Sequence, residues 1–139
     1  MKFTYFRGYY IYIQIAPKPG EREHGHKALA IEVEKEGSVF YGEFIVRSDN
    51  EEIKEFKDIK GKNGWIVDYS SAGGYLYEKG YAWDRGIDMP KDCNLTTSPG
   101  SKQENVIMAV YNRQTDFGCV RNGIRDKLTG RIDLSQIKV

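Results

Sequence analysis

Two stretches rich in aromatic residues constrain the fold of this chain most strongly. Twelve of the eighteen aromatic residues fall within residues 3–12 and 65–83. Tyrosine dominates both stretches, and a tyrosine buries a large apolar ring while it keeps a polar hydroxyl. Residues 9–16 also alternate with the period of two that is typical of a β-strand. The two stretches therefore predict a sheet with one aromatic face.

Hydrophobic periodicity and turn residues predict the remaining elements. Alternating apolar residues indicate a β-hairpin over residues 28–47, and Ser48-Asp49-Asn50 is typical of a helix N-cap. The predicted elements that follow are a short helix over 50–59, strands over 65–69 and 75–83, a long loop over 84–104, a central strand over 105–111, a helix from Thr115 or Asp116 to Leu128, and an edge strand or last turn in the tail.

This order of elements predicts the fold class. It is β-β-β-α-β-β-β-α, which we interpret as an α+β fold with two short helices and a predominantly antiparallel sheet or a small, partly open barrel. The first six elements match the order of an OB-type barrel. The length of 139 residues predicts a single domain over residues 1–139.

Composition predicts where the protein works. The net charge of +1 gives no bulk attraction to nucleic acid or to a membrane surface. Two cysteines, Cys93 and Cys119, are no disulfide framework and favour reduced thiols. The N-terminus lacks the apolar region of a signal peptide, and no apolar run approaches the ~18–20 residues of a membrane span. We therefore expect a cytoplasmic protein.

Catalytic signatures are absent from the sequence. It has no Gly-x-Ser-x-Gly elbow, no phosphate loop, no Cys-x-x-Cys and no dinucleotide fingerprint. The glycine-rich run Ser71-Ala72-Gly73-Gly74 is predicted to join two strands, which argues against a phosphate site at a helix N-terminus. We expect no cofactor, and the sequence leans against an enzyme.

Metal binding is the least favoured chemistry. His24 and His26 lie one residue apart and could form part of a zinc site, but the third ligand would have to come from afar. With a carboxylate such as Asp68 or Asp84 they would make a metal-dependent hydrolase, the hypothesis of lowest weight. Asp84, Asp88 and Asp92 lie in the predicted loop without the ligand pattern of a calcium loop. We therefore predict no metal ligands.

The favoured function is binding without catalysis. Exposed tyrosine and tryptophan dominate interface hot spots, and segregated charge speeds and orients association. We expect an inhibitor or immunity-type module that occupies a protein partner, with the loop over 84–104 bordering the site. The alternative is a pocket that sequesters a nucleotide-like phosphate ligand, with arginine on the phosphate. Nucleic acid is a less favoured partner. The predicted binding residues are Tyr9, Tyr12, Tyr75, Tyr77, Trp83, Arg121 and Arg125.

Overall fold

The structure, a computed structural model, describes residues 41–139. These residues belong to one compact unit. The predictions at Tyr9, Tyr12, His24 and His26, and the first strand of the hairpin over 28–47, lie outside the described residues. The single domain over residues 1–139 stays a prediction.

The described residues form a five-stranded mixed sheet with the order β3-β2-β4-β1-β5. Strand β2 runs parallel to both of its neighbours, β3 and β4. In contrast, β1 runs antiparallel to β4 and β5. The strands are β1 (Gly42–Arg47), β2 (Asn63–Ile66), β3 (Asn94–Thr97), β4 (Phe117–Arg121) and β5 (Ile137–Lys138).

Three α-helices connect the parallel strands of this region. The chain passes from β2 to β3 through α1 (Leu76–Trp83) and α2 (Met89–Asp92), and from β3 to β4 through α3 (Gln103–Tyr111). None of these helices is long and apolar enough to cross a membrane. Short 3-10 helices lie at Phe56–Ile59, Ala72–Gly74, Pro99–Ser101, Arg125–Leu128 and Leu134–Gln136.

The predicted fold class is wrong, because two predicted strands are helices and one predicted helix is a strand. Residues 76–83 and 103–111 are helices where strands were expected, and Phe117–Arg121 is a strand where a helix was expected. The predicted loop over 84–104 contains α2, β3 and the start of α3. A parallel β-α-β order therefore replaces the antiparallel sheet or barrel.

The burial pattern explains these errors. In and just before α1 the buried residues are Tyr75, Glu78 and Ala82, which is helical spacing, whereas the tyrosines that suggested a strand are separated by two and four positions. In β4 the four residues from Phe117 to Val120 are all buried, because both faces of the strand are covered. Such a strand shows no alternation, and its sequence resembles that of a buried helix.

Other predicted elements agree more closely with the structure. The strand before Ser48 is β1, and the tail contains a 3-10 helix and the edge strand β5. Of the predicted helix over 50–59, only the last four residues are helical, and they form a 3-10 helix. The Asn50 side chain instead accepts hydrogen bonds from the backbone N–H groups of Glu52 and Ile53, at 2.8 and 2.9 Å, which holds a turn.

The helices cover opposite faces of the sheet. Phe44 of β1 and Phe117 of β4 pack with Ala82 of α1 and Met89 of α2 in one apolar cluster. Side chains from the other face of the same strands, such as Ile45 and Val120, pack with Val106, Ile107 and Val110 of α3. Because neighbouring side chains of a strand point to opposite faces, α1 and α2 lie on one side of the sheet and α3 on the other.

Gly80 tests whether residues 76–83 are helical. It lies on the exposed side of α1, and a Cβ there would meet no atom within 4 Å. Alanine is favoured over glycine in a helix interior by about 1 kcal/mol, so we expect Gly80→Ala to raise the free energy of unfolding by that amount. Denaturant unfolding of both proteins measures it. A destabilised variant would contradict the helix.

Candidate functional site

The carboxyl ends of three strands meet at one edge of the sheet. Since β2 is parallel to β3 and β4, the chain leaves Ile66, Thr97 and Arg121 at the same edge. The amino end of β1 lies there too, because Gly42 pairs with Arg121. In open α/β sheets ligands bind at this kind of edge.

Within this edge, the loops after β2 and β3 leave the sheet in opposite directions. The two strands are neighbours, but the connection after β2 goes to one face of the sheet and the connection after β3 goes to the other. The two loops therefore separate and leave a crevice between them. We define the candidate site by these loops, Asp68–Gly74 after β2 and Ser98–Lys102 after β3.

The first loop is folded back onto the end of β2. The backbone N–H of Val67 donates to the carbonyl of Gly74 at 3.1 Å, and that of Leu76 donates to Ser71 at 2.9 Å. Gly73 and Gly74 are buried, while Ser70 is exposed. The loop leads into the first turn of α1, so its backbone brings the partial positive charge of a helix N-terminus to the edge.

The second loop is closed by Ser98. Its hydroxyl donates to the carbonyl of Lys102 at 2.7 Å, and its backbone N–H donates to Ile66 at the end of β2 at 2.8 Å. Gly100 and Ser101 both have positive φ, 65° and 52°. This conformation is unfavourable for serine and marks a position where the surroundings hold the residue in place.

Asp68 holds the turn at the start of the first loop. Its Oδ1 accepts hydrogen bonds from the backbone N–H and the hydroxyl of Ser70, at 2.8 and 2.6 Å. These bonds from Ser70 lower the pKa of Asp68, so this carboxylate is ionised at neutral pH. Exposed Lys102 lies beside Ser101 and brings a positive charge to the crevice.

The end of β4 is tied to the same region. The backbone N–H of Arg121 donates to the side-chain oxygen of Gln103, the first residue of α3, at 3.0 Å. Next to it, Tyr41 and Asn122 exchange two hydrogen bonds of 3.0 Å across the sheet edge. These contacts fix the start of α3 and with it the position of the second loop.

A buried carboxyl group, that of Glu78, lies close to this edge. Glu78 is fully buried in the first turn of α1, and a Cβ on Gly42 would lie 2.5 Å from its carboxyl group. Burial, helped by the neighbouring Glu43 carboxylate, raises the pKa of Glu78 well above its usual range, although the backbone N–H groups of Glu78 and Glu43 oppose this. Among the described residues, no side chain hydrogen-bonds to it. Burial therefore favours the neutral form of this group in the folded protein.

The predicted binding residues do not share the strand face that was expected. Tyr75 is buried, with 3% of its surface exposed, and Tyr77 is half-buried in α1. Trp83, at the end of α1, is 64% exposed. Arg121 ends β4 and Arg125 begins a 3-10 helix, so they are not one turn apart on a helix. Whether these residues bind a ligand stays a prediction.

Sequence reasoning missed the serines and Lys102 at the crevice, and it considered Asp68 only as a carboxylate of a metal-dependent hydrolase. The glycine-rich run Ser71-Ala72-Gly73-Gly74 could have indicated an anion site at a helix N-terminus. We argued against such a site because the run was predicted to join two strands. It actually joins β2 to α1. In residues 41–139 no three His, Cys, Asp or Glu side chains are placed to hold a metal ion. The thiols of Cys93 and Cys119 are buried and free, and burial raises the pKa of Cys93 to about 11.

Fold and site place the described region among α/β proteins that bind small ligands at the edge of a parallel sheet. A family model described as "ABC transporter, phosphonate, periplasmic substrate-binding protein" matches residues 10–139. The chain belongs to this family. No curated protein matches the chain.

Solved structures share the fold. The protein XAC2383 from Xanthomonas citri, bound to ATP, matches with a TM-score of 0.60 and 18% identity over 71% of this chain and 40% of its own. Its chloride-bound structure gives 0.59 and 19%, over 71% and 39% of the two chains. A binding protein component of an ABC phosphonate transporter from Pseudomonas aeruginosa gives 0.58 and 23%, over 77% and 37%. The chain spans about 40% of the length of these proteins.

Family membership corrects the predictions of function and of location. The inhibitor or immunity-type module is wrong, with its nucleotide-sequestering and hydrolase alternatives, because the family is one of transporter substrate-binding proteins. The cytoplasmic location is wrong, because the family is periplasmic. The broader prediction of a binding protein is confirmed, and a small ligand as partner agrees with the family.

Gly74 tests the packing of the first loop. A Cβ at this position would clash with the Val67 side chain and lie 2.9 Å from the Ser71 hydroxyl. We expect Gly74→Ala to lower the free energy of unfolding by about 1–3 kcal/mol, the usual cost of overpacking, and to weaken ligand binding. Denaturant unfolding and calorimetric titration measure the two effects. Gly80→Ala is the matched control, and equal stability of the two variants would contradict this packing.

Glu78 makes stability depend on pH. Because the pKa of Glu78 is raised in the folded protein, its burial lowers the free energy of unfolding only above the usual glutamate pKa of about 4.3. The free energy of unfolding then declines as the pH rises towards the pKa of Glu78 in the folded protein. We therefore expect Glu78→Gln to be more stable than the wild type at neutral pH, with a difference that vanishes in acid. Unfolding at a series of pH values measures this. Glu104→Gln, a half-exposed glutamate in the first turn of α3, is the control and should show no such gain.

Proposed function

We propose that this chain binds a small organic phosphonate, as part of the substrate-binding component of an ABC transporter, and that the ligand's phosphonate group sits in the crevice between the two loops. The observation that carries the proposal is the crevice after the neighbouring strands β2 and β3, where both connections are serine- and glycine-rich loops that lead into helices. Exposed hydroxyls, helix N-termini and a lysine suit a tetrahedral oxyanion.

The family and the related structures support the same ligand chemistry. The family description names phosphonate, and the Pseudomonas aeruginosa protein is a component of a phosphonate transporter. The Xanthomonas citri protein is bound to ATP, whose phosphoryl groups are also tetrahedral oxyanions. In such a transporter the natural partner of the loaded binding protein is a membrane permease, which we propose as the partner here.

Direct binding tests the proposal. Calorimetric titration with methylphosphonate, which has the oxyanion and almost nothing else, should show saturable binding to the chain. A ligand at a hundredfold excess over its Kd should also stabilise the fold by ~2.7 kcal/mol, visible as a rise in Tm. No heat and no rise in Tm with any short alkylphosphonate would overturn the proposal.

Lys102 is expected to contribute to this binding. A hydrogen bond to a charged group is worth about 1.5 kcal/mol or more, so Lys102→Ala should weaken methylphosphonate binding about tenfold. The loss should shrink as salt is added, because the charge is exposed. Lys54→Ala removes another exposed lysine, in the segment before the amino end of β2, and should bind normally. Equal affinities of the two variants would show that the oxyanion lies elsewhere.

A further inference from the structure

Two large apolar side chains within residues 41–139 are exposed, and one of them lies in the candidate site. Tyr69 has 56% of its surface exposed, and Trp83 is exposed to a similar extent. Trp83 ends α1, whereas Tyr69 follows Asp68 in the first loop. A single exposed ring elsewhere on a surface needs no explanation, but a ring at a ligand site affects which ligands fit there.

The ring of Tyr69 is held in place although it is exposed. Its centroid lies 5.2 Å from that of Tyr75, and the two ring planes meet at 88°, which is the edge-to-face geometry that aromatic pairs favour. Tyr75 is itself buried in the apolar cluster beneath α1. The backbone at Tyr69 lies within a turn, because the N–H of Ser71 donates to the carbonyl of Asp68 at 3.2 Å. A ring that is already fixed loses little conformational entropy when a ligand packs against it.

The charges around this ring favour an uncharged ligand group. The Nζ atom of Lys79 lies 5.8 Å from the centre of the Tyr75 ring, and exposed Lys102 lies in the second loop. Lys102 suits the oxygens of a phosphonate, but both lysines repel a second cation. The carboxylate of Asp68 already accepts two hydrogen bonds from Ser70. An apolar ring, in contrast, gains from contact with a tyrosine ring without any charge.

We propose that Tyr69 is a specificity-determining residue, and that the site prefers phosphonates with an aromatic carbon substituent that packs against the Tyr69 ring. The proposal rests on the proposed function and goes beyond it, because it assigns the class of substituent and the residue that selects it. The oxyanion lies in the crevice, and the substituent extends from it along the first loop.

Titrations of the wild-type chain with methylphosphonate and phenylphosphonate test this preference. Both ligands carry the oxyanion, and phenylphosphonate adds a ring. Contact between two aromatic rings, together with the apolar area that it buries, is worth about tenfold in affinity, so phenylphosphonate should bind about tenfold more tightly. Aminomethylphosphonate adds an ammonium group instead and should bind more weakly than phenylphosphonate. Tighter binding of the ammonium ligand would overturn the proposal.

Tyr69→Ala and Tyr69→Phe separate the ring from the loop that carries it. We expect Tyr69→Ala to lower the ratio of phenylphosphonate to methylphosphonate affinity about tenfold. Tyr69→Phe keeps the ring and should keep the ratio. Each ligand has the same ionisation in every titration, so a change in the ratio reports the protein. If Tyr69→Ala weakens both ligands equally, or if Tyr69→Phe lowers the ratio as far as Tyr69→Ala does, the ring does not select the ligand and the proposal is overturned.

Trp83→Ala is the matched control. It removes the other exposed ring, which lies at the end of α1 away from the first loop, about 10 Å further along the helix axis at 1.5 Å per residue. This variant should keep the wild-type ratio. A fall in the ratio as large as that of Tyr69→Ala would contradict the assignment to Tyr69.

The outcomes also separate the two proposals. A wild-type chain that binds neither methylphosphonate nor phenylphosphonate overturns the proposed function. A wild-type chain that binds methylphosphonate, and binds phenylphosphonate no more tightly, leaves the proposed function in place and overturns the preference for an aromatic substituent.

Discussion

The parallel pairing of β2 with both of its neighbours is the constraint on which the rest of this region depends. Parallel strands cannot be joined by a tight turn, so each connection must cross a face of the sheet. Here β3 and β4 lie on opposite sides of β2, and the two crossovers take opposite faces. The separation of the two loops is a consequence of this strand order.

Close packing of small residues makes that pairing possible. Gly64 of β2 lies under the ring of Phe117, where any Cβ would clash. At Gly118 of β4 a Cβ would lie 2.6 Å from Val106 of α3, so the helix rests directly on the strand backbone. Interiors this dense transmit a shift of one element to its neighbours. The position of α3, and of the loop before it, is therefore set by glycines in the sheet.

The sequence predicted strands whose residues alternate in polarity and failed where that alternation is missing or misleading. β1 shows enough alternation to be identified, and β5 was one of two expected forms of the tail. Phe117–Val120 shows no alternation because helices cover the sheet on both sides. In α1, a period of two among Tyr75, Tyr77 and Tyr81 hid the helical spacing of its buried positions. Burial within the fold determined whether these segments are helices or strands, and local propensity predicts that burial poorly.

The same error hid the candidate site. A serine- and glycine-rich run has a different meaning between two strands than between a strand and a helix, because only a helix N-terminus presents unpaired N–H groups and a positive partial charge. Once α1 replaces the predicted strand, the run Ser71–Gly74 becomes an anion-binding candidate. The loops that begin at Asp68 and Ser98 could not have been placed side by side without knowing that β2 and β3 are adjacent.

Two acidic side chains near a proposed anion site raise an electrostatic question, and the structure treats them differently. Asp68 is ionised, and the backbone N–H and hydroxyl of Ser70 both donate to it, which stabilises its charge. Glu78 has no such partners among the described side chains, and burial favours its protonated form. An ionised Glu78 would repel an oxyanion through a low-dielectric interior, where screening by salt is weak. Protonation of Glu78 therefore leaves the charge of this edge to Asp68 and Lys102, both of which lie at the crevice itself.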